Sequence, residues 1–201
     1  MNSLEHLAEL FRRLPGVGSR QARRMVYHLL HEPQNRRNAM GEAILNISDG
    51  VSQCKSCLSF FEHVYDPDRD MCHICTDHAR NNKLLLLVQK DADIDNIEAS
   101  KTYDGMYFVL GGLLPLNSDN PQMIRNIGQL LFKLQNSKIN EIIIGMPFTT
   151  DGEHTRIHLT EFLEKEFPTI KFSTLGRGMA TGSELEYLDP ETLKNAIEGR
   201  G

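Results

Sequence analysis

Apolar residues follow two different spacings along the chain, and the change between them separates a helical front from an α/β rear. In residues 1–50 the apolar side chains recur every three or four positions, which is the period of an amphipathic helix. The pattern predicts a helix before Pro15, a second from its N-cap Ser19 to Pro33, and a third over about 35–50. We expect the third helix to bury Met40, Ala43, Ile44 and Ile47.

Beyond residue 80, short apolar runs alternate with amphipathic segments. We predict strands near 83–88, 106–110, 141–146 and 170–175, with a helix between successive strands. Such an alternation implies a largely parallel sheet covered by helices on both faces. The predicted fold class is therefore a multi-module α+β architecture, in which a helical region precedes a parallel-sheet domain.

Four cysteines lie between these regions as two pairs, Cys54 with Cys57 and Cys72 with Cys75. Because each pair encloses two residues, both of its thiolates can reach one ion at about 2.3 Å, the usual Zn–S distance. Disulfides are disfavoured in a chain that shows no signal peptide, and a redox pair would normally adjoin a βαβ unit. We predict structural zinc, since four protein ligands leave no open coordination position.

Charge is unevenly distributed along the sequence. Residues 1–37 contain seven arginines and three glutamates, a balance of +4, which leaves −9 for the rest of a chain whose net charge is −5. The basic segment indicates a local phosphate-binding face, although a solvated helix surface has the same composition. No apolar run reaches the roughly 20 residues that a bilayer span requires. We expect a cytoplasmic protein.

A glycine-rich turn opens the second predicted helix. Gly16 and Gly18 form the turn, and Arg20, Arg23 and Arg24 follow within the first turn and a half of the helix. Unpaired backbone N–H groups at a helix start favour an anion, and the helix dipole adds to this effect. The arrangement resembles a helix-hairpin-helix motif, which grips the DNA backbone without reading bases. The alternative is an αα-hairpin whose glycines serve packing alone.

Acidic side chains follow two of the predicted strands. Asp91 and Asp93 come after the first strand, and Asp151 and Glu153 come after the third. Because ligands of open parallel sheets collect at the carboxyl ends of the strands, these acids are candidates for binding Mg²⁺ or a partner protein. Acids also favour helix N-termini for electrostatic reasons alone, so this second interpretation stays open.

The order of several motifs resembles one bacterial protein family. The motifs are Pro15-Gly16-Val17-Gly18, the two cysteine pairs, Tyr103-x-Gly105-x-Tyr107-x-Val109-Leu110-x-Gly112, Thr149-x-Asp151-Gly152-Glu153-x-Thr155, and Arg177-Gly178-x3-Gly182 followed by Glu184-Leu185-Glu186-Tyr187. Together they are similar to the RecR family of recombination mediators, from about residue 3 to the C-terminus.

The resemblance implies both an organisation and a role in DNA repair. RecR-like proteins act with RecO and RecF to help load the RecA recombinase onto single-stranded DNA coated by single-strand binding protein. In this interpretation Arg20, Arg23 and Arg24 contact phosphates without sequence preference, and the chain assembles as a dimer or a ring-shaped tetramer. The implied modules are a helix-hairpin-helix region at 1–52, a four-cysteine zinc finger at 53–79, a Toprim-like domain at 80–176 and a C-terminal oligomerisation segment at 177–201.

One residue departs from the pattern of Toprim enzymes. Those enzymes place a glutamate at the end of the first strand as a general acid or base, where this sequence has Gln89. An amide does not exchange a proton near neutral pH, so we expect a non-catalytic protein. The alternative is a Mg²⁺-dependent nuclease or primase of the Toprim type, with Asp151 and Glu153 holding the metal.

Overall fold

The chain forms two compact units, residues 1–51 and 52–201. The structure is a computed structural model. It describes residues 3–63, 66, 68–114, 121–176, 182, 184–188 and 190–198. Arg177 and Gly178 of the C-terminal motif lie outside the described residues.

The first unit is helical. Its elements are α1 (Ser3–Arg12), α2 (Ser19–His31) and α3 (Gln34–Leu45). The first two helices pack through a small cluster of Ala8, Ala22 and Val26, and Leu7 and Phe11 pack against this cluster. Alanines at the contact let the helix backbones approach closely, which suits a short hairpin.

The third helix differs from its prediction. It ends at Leu45 instead of near residue 50, and none of its residues is buried. Met40, Ile44 and Ile47 are exposed by 50%, 62% and 69%, and Ala43 is exposed as well. The predicted burial of these side chains is wrong for the single chain, because no described element of the first unit covers this side of the helix.

The described residues of the rear of the chain form six strands, beginning at the unit boundary. Its elements are β1 (Val51–Gln53), β2 (Phe60–Glu62), α4 (His73–Thr76), β3 (Asn81–Val88), α5 (Asp91–Ser100), β4 (Gly105–Val109), α6 (Pro121–Gln135), β5 (Glu141–Gly145), α7 (Thr150–Glu166), β6 (Lys171–Thr174), a 3-10 helix (Leu185–Tyr187) and α8 (Pro190–Glu198). Strands β1 and β2 pair with each other, and the other four form a sheet in the order β4-β3-β5-β6. All neighbours in that sheet are parallel, which confirms the predicted parallel sheet.

The central strand β3 organises this sheet. Its last four residues, Leu85, Leu86, Leu87 and Val88, are all buried, as expected for a strand that is covered on both faces. The chain leaves β3 for β4 on one side and then crosses back to β5 on the other. Right-handed crossovers therefore put α5 on one face and α6 and α7 on the opposite face. Gln89 follows β3 at the point where the strand order reverses, which is where open sheets bind ligands.

A charged network joins the start of β3 to α5 and β4. Both terminal nitrogens of Arg80 donate to the Glu98 carboxylate, at 2.9 and 2.7 Å. The Tyr107 hydroxyl donates to the same carboxylate at 2.6 Å, and Arg80 Nε donates to the Gly105 carbonyl at 2.9 Å. The hydrogen bonds from Arg80 hold the pKa of Glu98 below its ordinary value.

Replacing Glu98 by alanine is expected to lower the free energy of unfolding by about 2–3 kcal/mol at neutral pH, because the terminal nitrogens of Arg80 and the Tyr107 hydroxyl then lose the Glu98 carboxylate as an acceptor. The Glu98 pKa is lowered in the folded state, so its contribution is present above the unfolded value and is lost as the pH falls. The difference between the wild type and Glu98→Ala should therefore shrink below about pH 4.3. Denaturant unfolding across this pH range measures the effect.

Glu161→Ala is the matched control, since Glu161 is an exposed carboxylate on α7. The free energy of unfolding of this control should equal that of the wild type across the same pH range. A Glu98→Ala loss no larger than that of Glu161→Ala, or one that grows on acidification, would contradict the assigned role of the network.

Candidate functional site

The four cysteines converge on one point. The Sγ atoms of Cys54, Cys57, Cys72 and Cys75 all lie within 4.8 Å of one another, and those of Cys57 and Cys72 are 3.6 Å apart. Tetrahedral coordination with bonds of about 2.3 Å places the sulfurs about 3.8 Å apart. Three of the cysteines are buried and Cys75 is half-buried. The donor set and its spacing fit a tetrahedral metal ion.

Tight backbone turns position these sulfurs. The first pair lies in a turn in which the Leu58 N–H donates to the Cys54 carbonyl at 2.9 Å, with Leu58 in the left-handed region at φ 64°. The second pair opens α4, with Cys72 as the N-cap. The Cys72 N–H donates to Cys54 Sγ at 3.3 Å, so a backbone bond connects the two pairs. Such N–H donors stabilise a thiolate.

When no cation is bound, contacts among the four thiols shift their pKa values in opposite directions. Hydrogen bonds from the other thiols, that of Cys57 first, lower the pKa of Cys54. Hydrogen bonds between Cys57 and the other three thiols, that with Cys54 first, raise the pKa of Cys57. A divalent cation removes this competition, because it stabilises every thiolate that it coordinates.

The cysteine loop, defined here as residues 54–75, is bonded directly to the sheet domain. The Val109 N–H at the end of β4 donates to the Cys57 carbonyl at 2.8 Å. Lys133 Nζ on α6 donates to the Ser56 hydroxyl at 2.7 Å and to the Ser56 carbonyl at 3.1 Å. Leu58, Phe61 and Ile74 belong to the same apolar cluster as the sheet residues. The loop and the sheet therefore share one core.

Three of the four predicted acidic ligands have other roles in the fold. Asp91 Oδ1 accepts the Phe60 N–H at 2.8 Å, which adds a further bond between the cysteine loop and α5. Asp93 Oδ2 accepts the Lys90 N–H at 3.0 Å at the start of that helix. Glu153 Oε2 accepts from Arg156 Nε at 3.0 Å.

These contacts bear on the predicted Mg²⁺ site. Asp151, the fourth of the acids, is exposed at the start of α7. Among the described residues, the cysteines form the one group of three or more candidate ligands close enough to share an ion. The structure therefore does not bring Asp91, Asp93, Asp151 and Glu153 together. Protein donors already satisfy three of these carboxylates.

A cavity of about 470 Å³ lies at the carboxyl end of the sheet. Gln89 and Lys90 line it together with Gly111 and the buried amide of Asn126. Gly111 has φ +77°, and a Cβ there would lie 2.7 Å from Asn126 Nδ2, so this position requires glycine. The Asp91 carboxylate, which also lines the cavity, is the acceptor of the Phe60 N–H. Amides and glycine thus occupy the edge where a Toprim enzyme carries its glutamate.

The glycine turn of the first unit is open to solvent. Gly16 has φ +76°, and a Cβ at Gly16 or Gly18 would meet no atom within 4 Å. Gly18 is the N-cap of α2 and makes no side-chain cap bond. Ser19 is the first helical residue, so its predicted role as the cap is wrong. Glycine leaves the first N–H groups of the helix accessible to an anion.

Arginines surround this turn. Arg20, Arg23 and Arg24 are all exposed on α2. Arg23 lies 3.9 Å from Glu5, and both side chains are about two-thirds exposed, so this ion pair is weak. Within the described ranges, Arg20 and Arg24 have no carboxylate partner. The open turn and these cations form a face that suits phosphate.

An apolar groove on the first unit was not anticipated from sequence. Its volume is about 370 Å³, and Leu4, Phe11, Leu30, Met40 and Ile44 are among the residues that line it. The apolar period of the third helix indicates an apolar face, which the sequence led us to place in an internal core. With three short helices there is too little chain to cover that face from within.

Comparison with known proteins matches three segments of the chain. A RecR helix-hairpin-helix model matches residues 4–47, a Toprim domain model matches 83–174 and a RecR C-terminal model matches 178–200. The recombination protein RecR of Magnetococcus marinus is 38% identical over 199 residues, covering 98% of this chain and 95% of the relative. That of Geotalea uraniireducens is 36% identical with the same coverage. That of Synechococcus sp. is 34% identical over 198 residues and 98% of both chains.

The fold and the site define a Toprim-containing protein that combines a helix-hairpin-helix with a four-cysteine cluster. The chain belongs to the RecR family of recombination proteins, so its role lies in DNA recombination and repair. In the part of the chain that the structure describes, no helix is long and apolar enough to span a bilayer.

Removing the metal ion is expected to destabilise the second unit as a whole, because the cysteine loop and the sheet share one core. Cys54→Ser should lower the free energy of unfolding by about 3 kcal/mol or more and abolish stoichiometric metal binding. Metal analysis together with thermal unfolding monitored by circular dichroism measures both effects.

His78→Ala is the control, since His78 is an exposed potential ligand three residues after Cys75 in the sequence. It should retain the metal ion and the stability of the wild type. Loss of metal from His78→Ala, or full stability of the sheet in metal-free Cys54→Ser, would contradict the assignment.

Proposed function

We propose that the protein is a non-catalytic recombination mediator. It acts with RecO and RecF to promote RecA loading onto single-stranded DNA coated by single-strand binding protein. The observation that carries the proposal is the arginine face at the open glycine turn of the first unit. Gln89 adds support, because an amide at the end of β3 cannot serve as the general acid or base of a Toprim enzyme. Such a mediator works in the cytoplasm, where chromosomal DNA lies.

DNA binding in this proposal is independent of sequence. In this proposal Arg20, Arg23 and Arg24 contact phosphates. Gly16 and Gly18 leave room for the DNA backbone to approach the N-terminus of α2. Contacts of this kind position a protein on DNA but carry no base information. Their contribution comes largely from counterion release, so it should decrease steeply with salt.

Replacing Arg20, Arg23 and Arg24 together by glutamine is expected to weaken DNA binding and to flatten its salt dependence. Each lost phosphate contact should reduce the slope of log K against log salt by about 0.9 for duplex DNA and about 0.7 for single strands. Fluorescence anisotropy with a labelled oligonucleotide at several salt concentrations measures the slope.

The control replaces Arg12 and Arg36, which already pair with Glu9 and Glu32 at 2.8 and 3.1 Å. Glutamine at these two positions should change the slope little. An unchanged slope in the triple variant would remove these arginines from the DNA interface.

We assign zinc as the ion of the cysteine cluster. Thiolates are soft ligands, and a closed set of four sulfurs in tetrahedral arrangement is typical of structural zinc. The metal in this assignment maintains the cysteine loop and does no chemistry. Metal analysis of the purified protein should find about one zinc ion per chain.

A homo-oligomer, either a dimer or a ring-shaped tetramer, completes the proposal. The apolar groove of the first unit supports it, because a second copy of the chain would cover Met40 and Ile44. Exposed apolar patches of this kind on a small unit are typical of association surfaces. Sedimentation velocity gives the mass, and Ile44→Glu should dissociate the assembly; a monomeric wild type would contradict the assignment.

The mediator role predicts faster RecA assembly on single-stranded DNA that has been coated with single-strand binding protein. The chain should accelerate assembly when RecO is present, and the arginine triple variant should do so less well. The DNA recovered from the reaction should be intact, because the sheet edge lacks a proton-transfer residue at position 89.

Two outcomes would overturn this proposal. One is an absence of acceleration with RecO and RecF under conditions where the chain binds DNA. The other is Mg²⁺-dependent nicking of the DNA that Asp151→Ala abolishes, which would establish the nuclease or primase alternative.

A further inference from the structure

A second groove lies in the second unit, between the cysteine loop and α6. Its volume is about 650 Å³. Lys55 and Ser56 contribute to it from the loop, and Arg125, Phe132 and Lys133 contribute from the helix. Gly128, on the same helix, leaves the groove open, since a Cβ there would meet no atom within 4 Å. The groove is thus large and accessible.

The lining of this groove is positively charged. Among the described residues, it contains two lysines and an arginine but neither aspartate nor glutamate. Arg125 donates to the Gln122 amide oxygen at 2.6 Å, and Lys133 donates to Ser56. Neither of these cations forms an ion pair with a described carboxylate. Lys55 pairs with Asp70 at 3.1 Å, but both side chains are more than half exposed, which makes the pair weak.

The positive charge of the groove is opposite in sign to the net charge of the part of the chain that forms it. Residues 38–201 carry a net charge of −9, the difference between the −5 of the chain and the +4 of its first 37 residues. A groove whose described charged side chains are all cations, within an acidic region, is suited to an anionic ligand.

An exposed aromatic ring lies among these cations. Phe132 is 69% exposed, whereas Leu130 and Leu134 of the same helix are buried. The ring therefore faces outward from the sheet domain. A flat apolar ring flanked by arginine and lysine is the combination that binds unpaired bases by stacking and phosphates by charge.

We propose that this groove binds single-stranded DNA, with a base stacked on Phe132 and the adjoining phosphates on Arg125 and Lys133. Duplex DNA does not suit the site, because its bases are already stacked within the helix and cannot reach the ring. The inference deepens the proposed mediator function, on which the choice of DNA as the ligand rests. It adds a contact that depends on bases to the phosphate contacts of the first unit.

Tryptophan substitution gives a direct test, because the chain contains no tryptophan. In Phe132→Trp the new indole is the single such fluorophore of the full-length protein. Titration with oligothymidylate should quench its fluorescence, whereas an abasic strand of equal length or a duplex should not. Phe162→Trp, at an exposed aromatic position on α7, is the control and should respond to none of them.

Affinity provides a second measurement. Phe132→Ala should weaken binding of oligothymidylate by about 10-fold while leaving the abasic strand and the duplex unaffected. Gly128→Leu fills the groove and should have a similar effect, whereas Gly128→Ala adds a single methyl group and should not. Phe162→Ala is the matched control for the loss of an exposed ring.

The arginine triple variant separates this inference from the proposed function. In Phe132→Trp combined with the triple variant, quenching at low salt would support the groove even if the first unit had no part in binding. Bound oligothymidylate, detected by anisotropy, with no quenching of the indole at position 132 would overturn the groove. Equal quenching by duplex or abasic DNA would overturn base stacking, and quenching by an acidic peptide that displaces oligothymidylate would make the groove a protein-docking site.

Discussion

The hydrogen bond from the Val109 N–H to the Cys57 carbonyl is the connection on which the second unit depends most. Among the described strands, β4 lies at the edge of the sheet and has β3 as its one neighbour. Cys57 supplies the acceptor that the end of β4 would otherwise lack, and the same residue is a candidate metal ligand. Because coordination fixes the position of Cys57, the metal also fixes the end of β4 and the glycines that follow it.

This connection explains why a structural ion belongs in a DNA-binding protein. Three residues of the cysteine loop form hydrogen bonds with the sheet domain: Ser56 with Lys133, Phe60 with Asp91 and Cys57 with Val109. The loop is therefore bonded to both faces and one edge of that domain. At the carboxyl end of the sheet, Asp91 already accepts a hydrogen bond from the cysteine loop. Gln89 occupies the position where a Toprim enzyme has its glutamate. The exposed arginines around the glycine turn belong to the first unit.

Local patterns in the sequence predicted most of this architecture. Each tight cysteine pair brings two sulfurs together, and four thiols in two such pairs favour one shared ion. The apolar run before Gln89 is long enough only for a strand, so the cysteine cluster and the parallel sheet were predictable. The bonds of Ser56 to Lys133 and of Asp91 to Phe60 were not, because they join residues far apart in sequence. The exposure of Met40 and Ile44 was also missed, since helical periodicity identifies an apolar face but not what covers it.

Amide hydrogen exchange at Val109 shows whether the metal ion holds the end of β4. The wild-type protein would be compared with and without its metal ion, residue by residue across the sheet. We predict that metal removal accelerates exchange in the cysteine loop and at Val109 and its β4 neighbours together. The Lys171 N–H in β6, at the opposite edge, donates to the Asn140 carbonyl at 2.9 Å and should change less. Exchange that accelerates in the loop alone, with Val109 still protected, would contradict it.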